Sequence, residues 1–460
     1  MIIDAKELYE KIEDYMEKDV TIQGWIRNHR RQKEFGFIDF SDGTCFNHIQ
    51  VVYDDKLDEF DDIQKYHVGS AIEVLGKVVE SPKEGQAFEI QASKVTLLGD
   101  CPEDYPIQPK KHSREFLREQ AYLRPRTNLF QAVFRVRSVA AYAIHKYFQE
   151  RGYVYFHAPL ITASDCEGAG EMFHVTCMDL ENIPKVDGQV DYSKDMFSKP
   201  ASLTVSGQLE AETFALAYKK TYTFGPTFRA ENSNTKVHAN EFWMIEPEIA
   251  FCDLEGDMEI MEEMLKYVVS YVLEHCKDEM EFLDKFVEKG LLDKLTKLVK
   301  SKFTRVTHKE VIDILQKADV SWEFEPKQGE DIAKEHEKYI TEYFDGPVFI
   351  TDWPKDIKAF YMKQNPDGET VAAVDLEVPG AGEIMGGSQR EEDYEKLVSR
   401  MKELDMDMDE LDWYINLRKF GGCVHSGFGM GFERLLIYLT GVENIRDVIP
   451  YPRTPGNCDF

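Results

Sequence analysis

The chain predicts an α+β protein, with strands and helices grouped in separate blocks, and three observations carry that prediction. Five short strand-like runs, parted by Gly, Asp and Pro turns, fill residues 19–98. A long antiparallel hairpin is written in residues 221–251, TYTFGPTFRAENSNTKVHANEFWMIEPEIAF, where two apolar runs flank a polar tip. Strand patterns return over 347–390, after a helical stretch in which Leu254, Met258, Met261, Leu265, Val268 and Val272 keep a 3–4 spacing. The expected layout is a small barrel over residues 1–99 and a linker over 100–126. A larger domain of mixed, mostly antiparallel sheet flanked by helices follows over 127–460.

Composition sets limits. The 460 residues are 43% hydrophobic and 30% charged, ordinary for two or three globular domains. No apolar run approaches the ~20 residues of a membrane span. The acidic start, MIIDAKELYEKIEDYMEKD, lacks the layout of a signal peptide. Eight cysteines are scattered with no C-x-x-C, which reads as reduced thiols of a cytosolic protein rather than a zinc site or disulfide framework. A net charge of −30 argues against general nucleic-acid binding. It is unevenly spread, however. Acidic runs sit at 54–62, 253–263 and 403–412, whereas basic residues cluster at 27–33 and from 110 to 126. Local basic patches set phosphate contacts, and an acidic remainder suppresses non-specific ones.

In chain order, residues 1–18 read as one short amphipathic helix. Five strands in about 80 residues fit a closed barrel, of which the OB-fold is the expected type. Phe35, Phe37 and Gln50 follow the basic run RNHRRQK on neighbouring strands. Such barrels stack bases on aromatics and read their edges, but the two phenylalanines could equally face the barrel core. Residues 100–112, with three prolines, read as a linker, and the basic segment 113–126 as either a phosphate contact or a solvated hinge. A clear helix spans 129–151, with Phe130, Val133, Phe134, Val136, Val139, Ala140 and Ala143 in one stripe. It stops at Gly152 before a strand over 153–161 that contains Pro159. Residues 162–173 form a polar, glycine-bearing loop, and 179–200 carry no legible chemistry. At 203–216 a strand passes into a helix, with Ser206, Gln208, Glu210 and Glu212 crowding the junction.

Charges on apolar strands mark a wet pocket better than a dry core. The hairpin holds Arg229, Glu231, Glu241, Glu246 and Glu248. Asp375 and Glu383 lie beside glycine-rich backbone, either as solvated turn carboxylates or as the one or two carboxylates magnesium takes, and Arg390 ends the run GGSQR. Further on, HSGFGMGFERLLIYLTG places Gly427, Gly429 and Gly431 before a short apolar helix with Arg434 in its first turn. Glycines let a ligand approach backbone closely, and an arginine there reaches phosphate.

Together, the TFRAE…EF hairpin and the GFGMGFERL strand–helix resemble motifs 2 and 3 of class II aminoacyl-tRNA synthetases. Over nearly the whole length, the spelling is similar to the asparaginyl branch of the subgroup that also holds the aspartyl and lysyl enzymes. The resemblance implies ATP and magnesium, activation of L-asparagine to asparaginyl-adenylate, and transfer to the 3′ end of tRNA-Asn. It implies Arg229 on the α-phosphate and substrate carboxylate, and Arg434 on the γ-phosphate and adenine. Phe242 takes the other adenine face, and Glu231 and His238 bind the nucleotide. Asp375 and Glu383 would hold the metal. Asparagine would meet Glu167, Gln208, Glu246 and Arg390. Phe37 and Gln50 fall where the anticodon-stacking aromatic and the uracil-reading glutamine belong. The helix at 129–151 and the following strand resemble motif 1, which implies a homodimer. Aspartyl enzymes carry a lysine where this chain has Ala211. Relatives commonly have arginine where this chain has Val237.

Overall fold

A computed structural model describes residues 2–82, 85–164, 166 and 172–460. The chain divides into two compact units, Met1–Ala132 and Val133–Phe460. In the first, strands β1 (Asp19–Arg31), β2 (Phe35–Ser41), β3 (Ile49–Asp54), β4 (Ala71–Glu80) and β5 (Phe88–Gly99) close a barrel in the order β1-β2-β3-β5-β4. The period of two decides which residues fill it. In β2, Gly36, Ile38 and Phe40 turn inward while Phe35, Phe37 and Asp39 turn outward. The two outer phenylalanines are therefore not core residues. The core is built from Ile22, Ile26, Ile38, Phe40, Val51, Tyr53, Val74 and Ile90.

One expectation for this unit is corrected. The single helix read over residues 1–18 is two short helices, Ala5–Glu10 and Ile12–Tyr15, because Lys11 leaves helical geometry at φ −131° and ψ 35°. The basic segment 113–126 is not wholly available to solvent. Arg124 is fully buried, with its guanidinium carbon 4.4 Å from the Phe130 ring centre. Arg27 donates to the Arg126 carbonyl at 2.8 Å.

The second unit begins in helix α1 (Asn128–Glu150), which buries the predicted apolar stripe. Next comes β6 (Val154–Tyr155), much shorter than the strand expected over 153–161. Pro159 has no N–H for a ladder. Beyond it, Ile161–Thr162 pairs with Ser202–Leu203 in a separate small sheet. Helix α2 (Gln208–Tyr218) leads to the hairpin of β7 (Lys220–Phe228) and β8 (Glu241–Ala250). Helix α3 (Leu254–His275) is capped by the Asp253 carboxylate, which accepts from the Gly256 N–H at 3.0 Å, and its predicted Met and Leu stripe is buried. Later elements are β9 (Thr304–Thr307), helix α4 (Lys334–Tyr343), β10 (Val348–Pro354), β11 (Thr370–Val378), β12 (Gly382–Gln389), β13 (His425–Gly431) and helix α5 (Phe432–Thr440).

Eight strands join in the order β9-β10-β11-β12-β13-β8-β7-β6. The outermost pairs, β9 with β10 and β6 with β7, are parallel, and the rest are antiparallel. The sheet thus brings the distant stretches 241–250, 370–389 and 425–431 side by side. Among the described residues, no helix is long and apolar enough to cross a membrane.

Close packing in the barrel gives one test. A Cβ on Gly36 would run into the ring of Tyr53, which is buried and bonded through its hydroxyl to His29 at 2.7 Å. Gly36→Ala should destabilise the barrel by about 1–3 kcal/mol, the usual cost of overpacking. Faster amide hydrogen exchange in β2 and β3 is the readout.

Candidate active site

Strand β8 lays out the site. Its alternation puts Phe242, Met244, Glu246 and Glu248 on one face, at about 3.4 Å of rise per residue. Beside it runs β13, with Met244 opposite Gly431 and Glu248 opposite Gly427. Next comes β12, with Gly429 opposite Gly386 and Gly427 opposite Ser388. The same face of β13 therefore carries only hydrogen atoms at three successive positions, Gly427, Gly429 and Gly431. A Cβ at Gly429 would stand 2.9 Å from Met244 Cε, and one at Gly427 would strike the Glu248 carboxylate. The result is a floor of bare backbone between two polar ends.

At one end lies a cleft enclosing about 880 Å³ of open space. Arg229, Glu231, His238, Phe242, Glu383 and Arg434, the six residues assigned to nucleotide from sequence, all line it. Asn240 staples the hairpin tip, since its Nδ2 donates to the carbonyls of Arg229 at 2.7 Å and Glu231 at 3.0 Å. The Arg229 guanidinium carbon sits 5.6 Å from the Phe242 ring centre. Arg434, in the first turn of α5, has Nη1 3.7 Å from Glu383 Oε2. Burial and the nearby Arg434 charge lower the His238 pKa, so its ring is neutral near pH 7. Two residues near the C-terminus hold the tip from outside. Arg446 Nη1 donates to the Thr235 carbonyl at 3.2 Å, and the Arg453 carbonyl accepts from Asn240 N at 2.8 Å. Val237 also lines the cleft, at the position where relatives carry arginine.

Carboxylates gather on the cleft's β11–β12 wall. A Cβ on Gly386 would lie 3.1 Å from Glu383 Oε1 and 3.2 Å from Asp375 Oδ1, so glycine keeps open a point that two oxygens face. Burial and the Glu383 charge push the Asp375 carboxyl up to about 7, although Lys358 Nζ binds its Oδ2 at 2.5 Å. Glu377, two residues along β11, is also buried, and its carboxyl is pushed well up by burial and then by Glu337, Glu383 and Asp375.

The other end of the floor is buried. Arg390 and Glu248 form an ion pair whose side chains are 3% and 0% exposed, so the charges must satisfy one another. Arg390 donates from Nε to Glu248 Oε2 at 3.2 Å, from Nη2 to Oε1, and from Nη1 to Ser388 Oγ at 2.7 Å. A guanidinium has five N–H groups, so further donors remain for a ligand. Burial opposes the charged form of Arg390, but contact with Glu248 more than offsets it and the pKa rises. Arg390 is thus partnered by Glu248, a contact the sequence reading did not name. Glu246 instead accepts from Ser206 Oγ and from the Gly207 N–H at 3.1 Å, at the entry to α2.

Gln208 opens α2 and donates from Nε2 to Glu212 Oε1 at 3.2 Å. Glu212 also accepts from the Tyr414 hydroxyl at 2.8 Å and Arg418 Nη2 at 2.9 Å, and meets His425 Nε2 at 3.0 Å. Burial would raise its pKa, but Arg418 and His425 hold it well below the usual carboxylate range. Ala211, its neighbour on α2, is fully buried. Glu167 lies outside the described residues. Glu248 and Glu212 were noted in the sequence as charges at the hairpin and the strand–helix junction but given no role, and Arg418, His425 and Lys358 were not singled out. Glu248 was within reach, being two positions after Glu246 on the same strand face. Arg418 sits in no motif and gave no local signal.

On the barrel, Phe37 stands half-buried on the outer face. Its ring packs edge-on against Phe35 with centres 5.4 Å apart, under the Arg30 guanidinium at 5.0 Å. Gln50 accepts from Arg30 Nη2 at 3.1 Å and donates to Glu89 Oε2 at 2.9 Å. Phe37 and Gln50 share a shallow depression with Asn28, Arg30, Asp39 and His48.

The family model described as class II tRNA synthetases (D, K and N) matches residues 113–455. The chain belongs to this synthetase family. A model for the OB-fold nucleic-acid binding domain matches residues 20–98 of the synthetase. Among curated proteins, it is 60% identical to an asparagine–tRNA ligase of Acholeplasma laidlawii, over 100% of both chains. Among solved structures, it superposes on the asparaginyl-tRNA synthetase of Pyrococcus horikoshii complexed with asparaginyl-adenylate, with a TM-score of 0.85, 31% identity and 99% of each chain covered. The Entamoeba histolytica asparaginyl-tRNA synthetase, also in complex with asparaginyl-adenylate, gives a TM-score of 0.84 at 25% identity with 100% of each chain covered.

Removing the Glu212 charge isolates the buried network. Glu212→Gln leaves Arg418 and His425 without their carboxylate and should cost about 3–5 kcal/mol in urea denaturation at pH 7. The folded pKa of Glu212 is depressed, so its contribution is complete above the unfolded value near ~4.3 and is lost as pH falls through the folded pKa. The gap between wild type and variant should therefore shrink as pH drops below about 4.

Proposed function

We propose that this synthetase is an asparagine–tRNA ligase working on the floor described above. L-asparagine and ATP give asparaginyl-adenylate and pyrophosphate, and the asparaginyl group then passes to the 3′ end of tRNA-Asn. The observation that carries the reading is the glycine floor of β13 and β12. It joins an arginine-flanked cleft to the buried Arg390–Glu248 subsite, with the Met244 side chain lying over Gly429 between them. In the first step an asparagine carboxylate oxygen attacks the α-phosphorus and pyrophosphate leaves. No covalent enzyme intermediate is required, so catalysis consists of placing two anions together and stabilising charge on phosphorus. Arg229 holds the α-phosphate and substrate carboxylate. Arg434 takes the γ-phosphate and one adenine face, Phe242 takes the other, and Glu231 and neutral His238 fix the nucleotide. In the second step a terminal ribose hydroxyl attacks the adenylate carbonyl, AMP leaves, and the hydroxyl proton is released.

Asp375 and Glu383 fit magnesium, because two carboxylate oxygens face the space that Gly386 leaves open and magnesium takes one or two such ligands. Bound there, the ion supplies charge for the phosphates. Lys358 steadies Asp375 from the other side.

Asparagine is distinguished from aspartate by charge. Arg390 donates to the side-chain oxygen, and Glu246 accepts from the amide nitrogen. Glu167 and Gln208 take the ammonium. An aspartate carboxylate would face Glu246, and at ~4 Å with an effective dielectric of ~20 that repulsion is about 4 kcal/mol. Ala211 offers no compensating cation.

The barrel, residues 1–99, presents Phe37 and Gln50 to the anticodon, and residues 100–126 link it to the catalytic domain, 127–460. The protein works as a cytoplasmic homodimer. That reading is supported by the exposed apolar side chains of Tyr142, Tyr155, Leu160 and Ile161, which are 41–58% accessible around α1 and the edge strand β6.

Amino-acid-dependent pyrophosphate exchange, run in parallel with asparagine and aspartate, tests the function. Exchange with asparagine is expected, and exchange with aspartate alone would refute it. Arg390→Ala should lower asparagine-dependent exchange by at least about 10²-fold, in line with loss of a buried charged contact. ATP affinity, measured by calorimetry, should change by less than about threefold, since Arg390 is not among the cleft residues.

A further inference from the structure

Beyond the Asp375–Glu383 pair, β11 and α4 bring together a second pair of carboxylates, for which the reaction above has no use. Glu377 on β11 is 2% exposed, and its Oε2 has no hydrogen-bond partner. Strand pairing explains its aim. The ladder between β11 and β12 shifts register between Leu376 and Glu377, so Glu377 sits opposite Glu383 across a bulge. Gly382, at φ 74°, makes the turn into β12. A Cβ on Gly382 would land on Glu337 Oε2 and lie 3.8 Å from Glu377 Oε2. The missing side chain thus lets the Glu337 carboxylate lie over Gly382 beside Glu377, one carboxylate from α4 and one from the sheet.

Two of the nearby cations are engaged elsewhere, and a third, Lys334, lies near Glu337. Lys358 binds Asp375, and Arg434 stands beside Glu383. Glu337 accepts from the backbone N–H of Glu383 and has that residue's carboxylate as a neighbour. An unpartnered buried carboxylate oxygen is costly, and here further negative charge surrounds it. We propose that Glu377 and Glu337 bind a second divalent cation of the magnesium class, which ties α4 to strands β11 and β12. Oxygen-only donors select a hard cation. Among the described residues no three His, Cys, Asp or Glu side chains form a ready-made cage, which disfavours calcium or zinc. Magnesium, satisfied by one or two carboxylates and keeping its waters, matches this pair of carboxylates.

Manganese, a spectroscopic stand-in for magnesium, reads this directly. Full-length protein without nucleotide, titrated with Mn²⁺ at 150 mM KCl and followed by electron paramagnetic resonance, should bind about two ions per chain. Glu377→Gln keeps the side-chain shape and should retain about one, with the second weakened at least tenfold. Asp375→Asn should lose the other. Magnesium should raise the melting temperature of wild type more than that of Glu377→Gln, while both variants melt cooperatively in EDTA. One site in wild type, or an unchanged count in Glu377→Gln, would overturn the proposal. An unchanged count with a more stable variant would mean that the two carboxyls share a proton instead. Asparagine-dependent pyrophosphate exchange by wild type tests the assigned reaction separately, and its outcome does not depend on the second ion.

Discussion

The site depends on one constraint, the two-residue alternation of strand β8 above a floor without side chains. A slip of one residue in its pairing would send Phe242, Met244, Glu246 and Glu248 to the opposite face. Pairing with β13 fixes that register at both ends, Met244 against Gly431 and Glu248 against Gly427. The glycines then act by what they lack. At Gly427 any Cβ would displace the carboxylate that holds Arg390. Specificity and access are thereby coupled through a backbone feature and not through a single reactive group.

Buried charge is concentrated at one end of this floor. Glu248, Glu212, Arg390, Arg418 and His425 are each almost wholly excluded from solvent. Such groups are tolerable only as a closed set, because any unpaired member carries a full desolvation cost. The set is assembled from α2, β8, β12, β13 and the segment after Asn416, so its geometry fixes five parts of the chain at once. At the opposite end, Arg229 and Arg434 stay partly open to solvent.

Much of this was legible in the sequence where local pattern and local chemistry coincide. The five barrel strands, the hairpin, α1 and α3 were all written in periodicity. Five of the six cleft residues came from two motifs, and Glu383 from a third stretch, which the sheet places side by side. What was not legible depends on pairing between distant strands. Glu248 was named as a hairpin charge, yet its partnership with Arg390 arises only because β13 lies between β8 and β12. Tyr414 and Arg418 lie just past the acidic run 403–412, in and after a short helix, Asp412–Asn416, and only the fold turns them toward Glu212. The strand expected over 153–161 failed at Pro159, a breaker visible in the sequence but underweighted against the apolar residues around it. The helix over 1–18 failed for a smaller reason, a single non-helical turn at Lys11.

The sheet's outer boundary has a consequence of its own. Strand β6 is only two residues long and is the last rung of an eight-stranded ladder. So brief an edge offers too few free N–H and C=O groups to template another strand. Uncontrolled stacking into fibrils is thereby discouraged during synthesis, when many identical chains crowd together. What remains exposed at this edge is side chain, tyrosine and aliphatic, and not naked backbone that would accept any extended peptide.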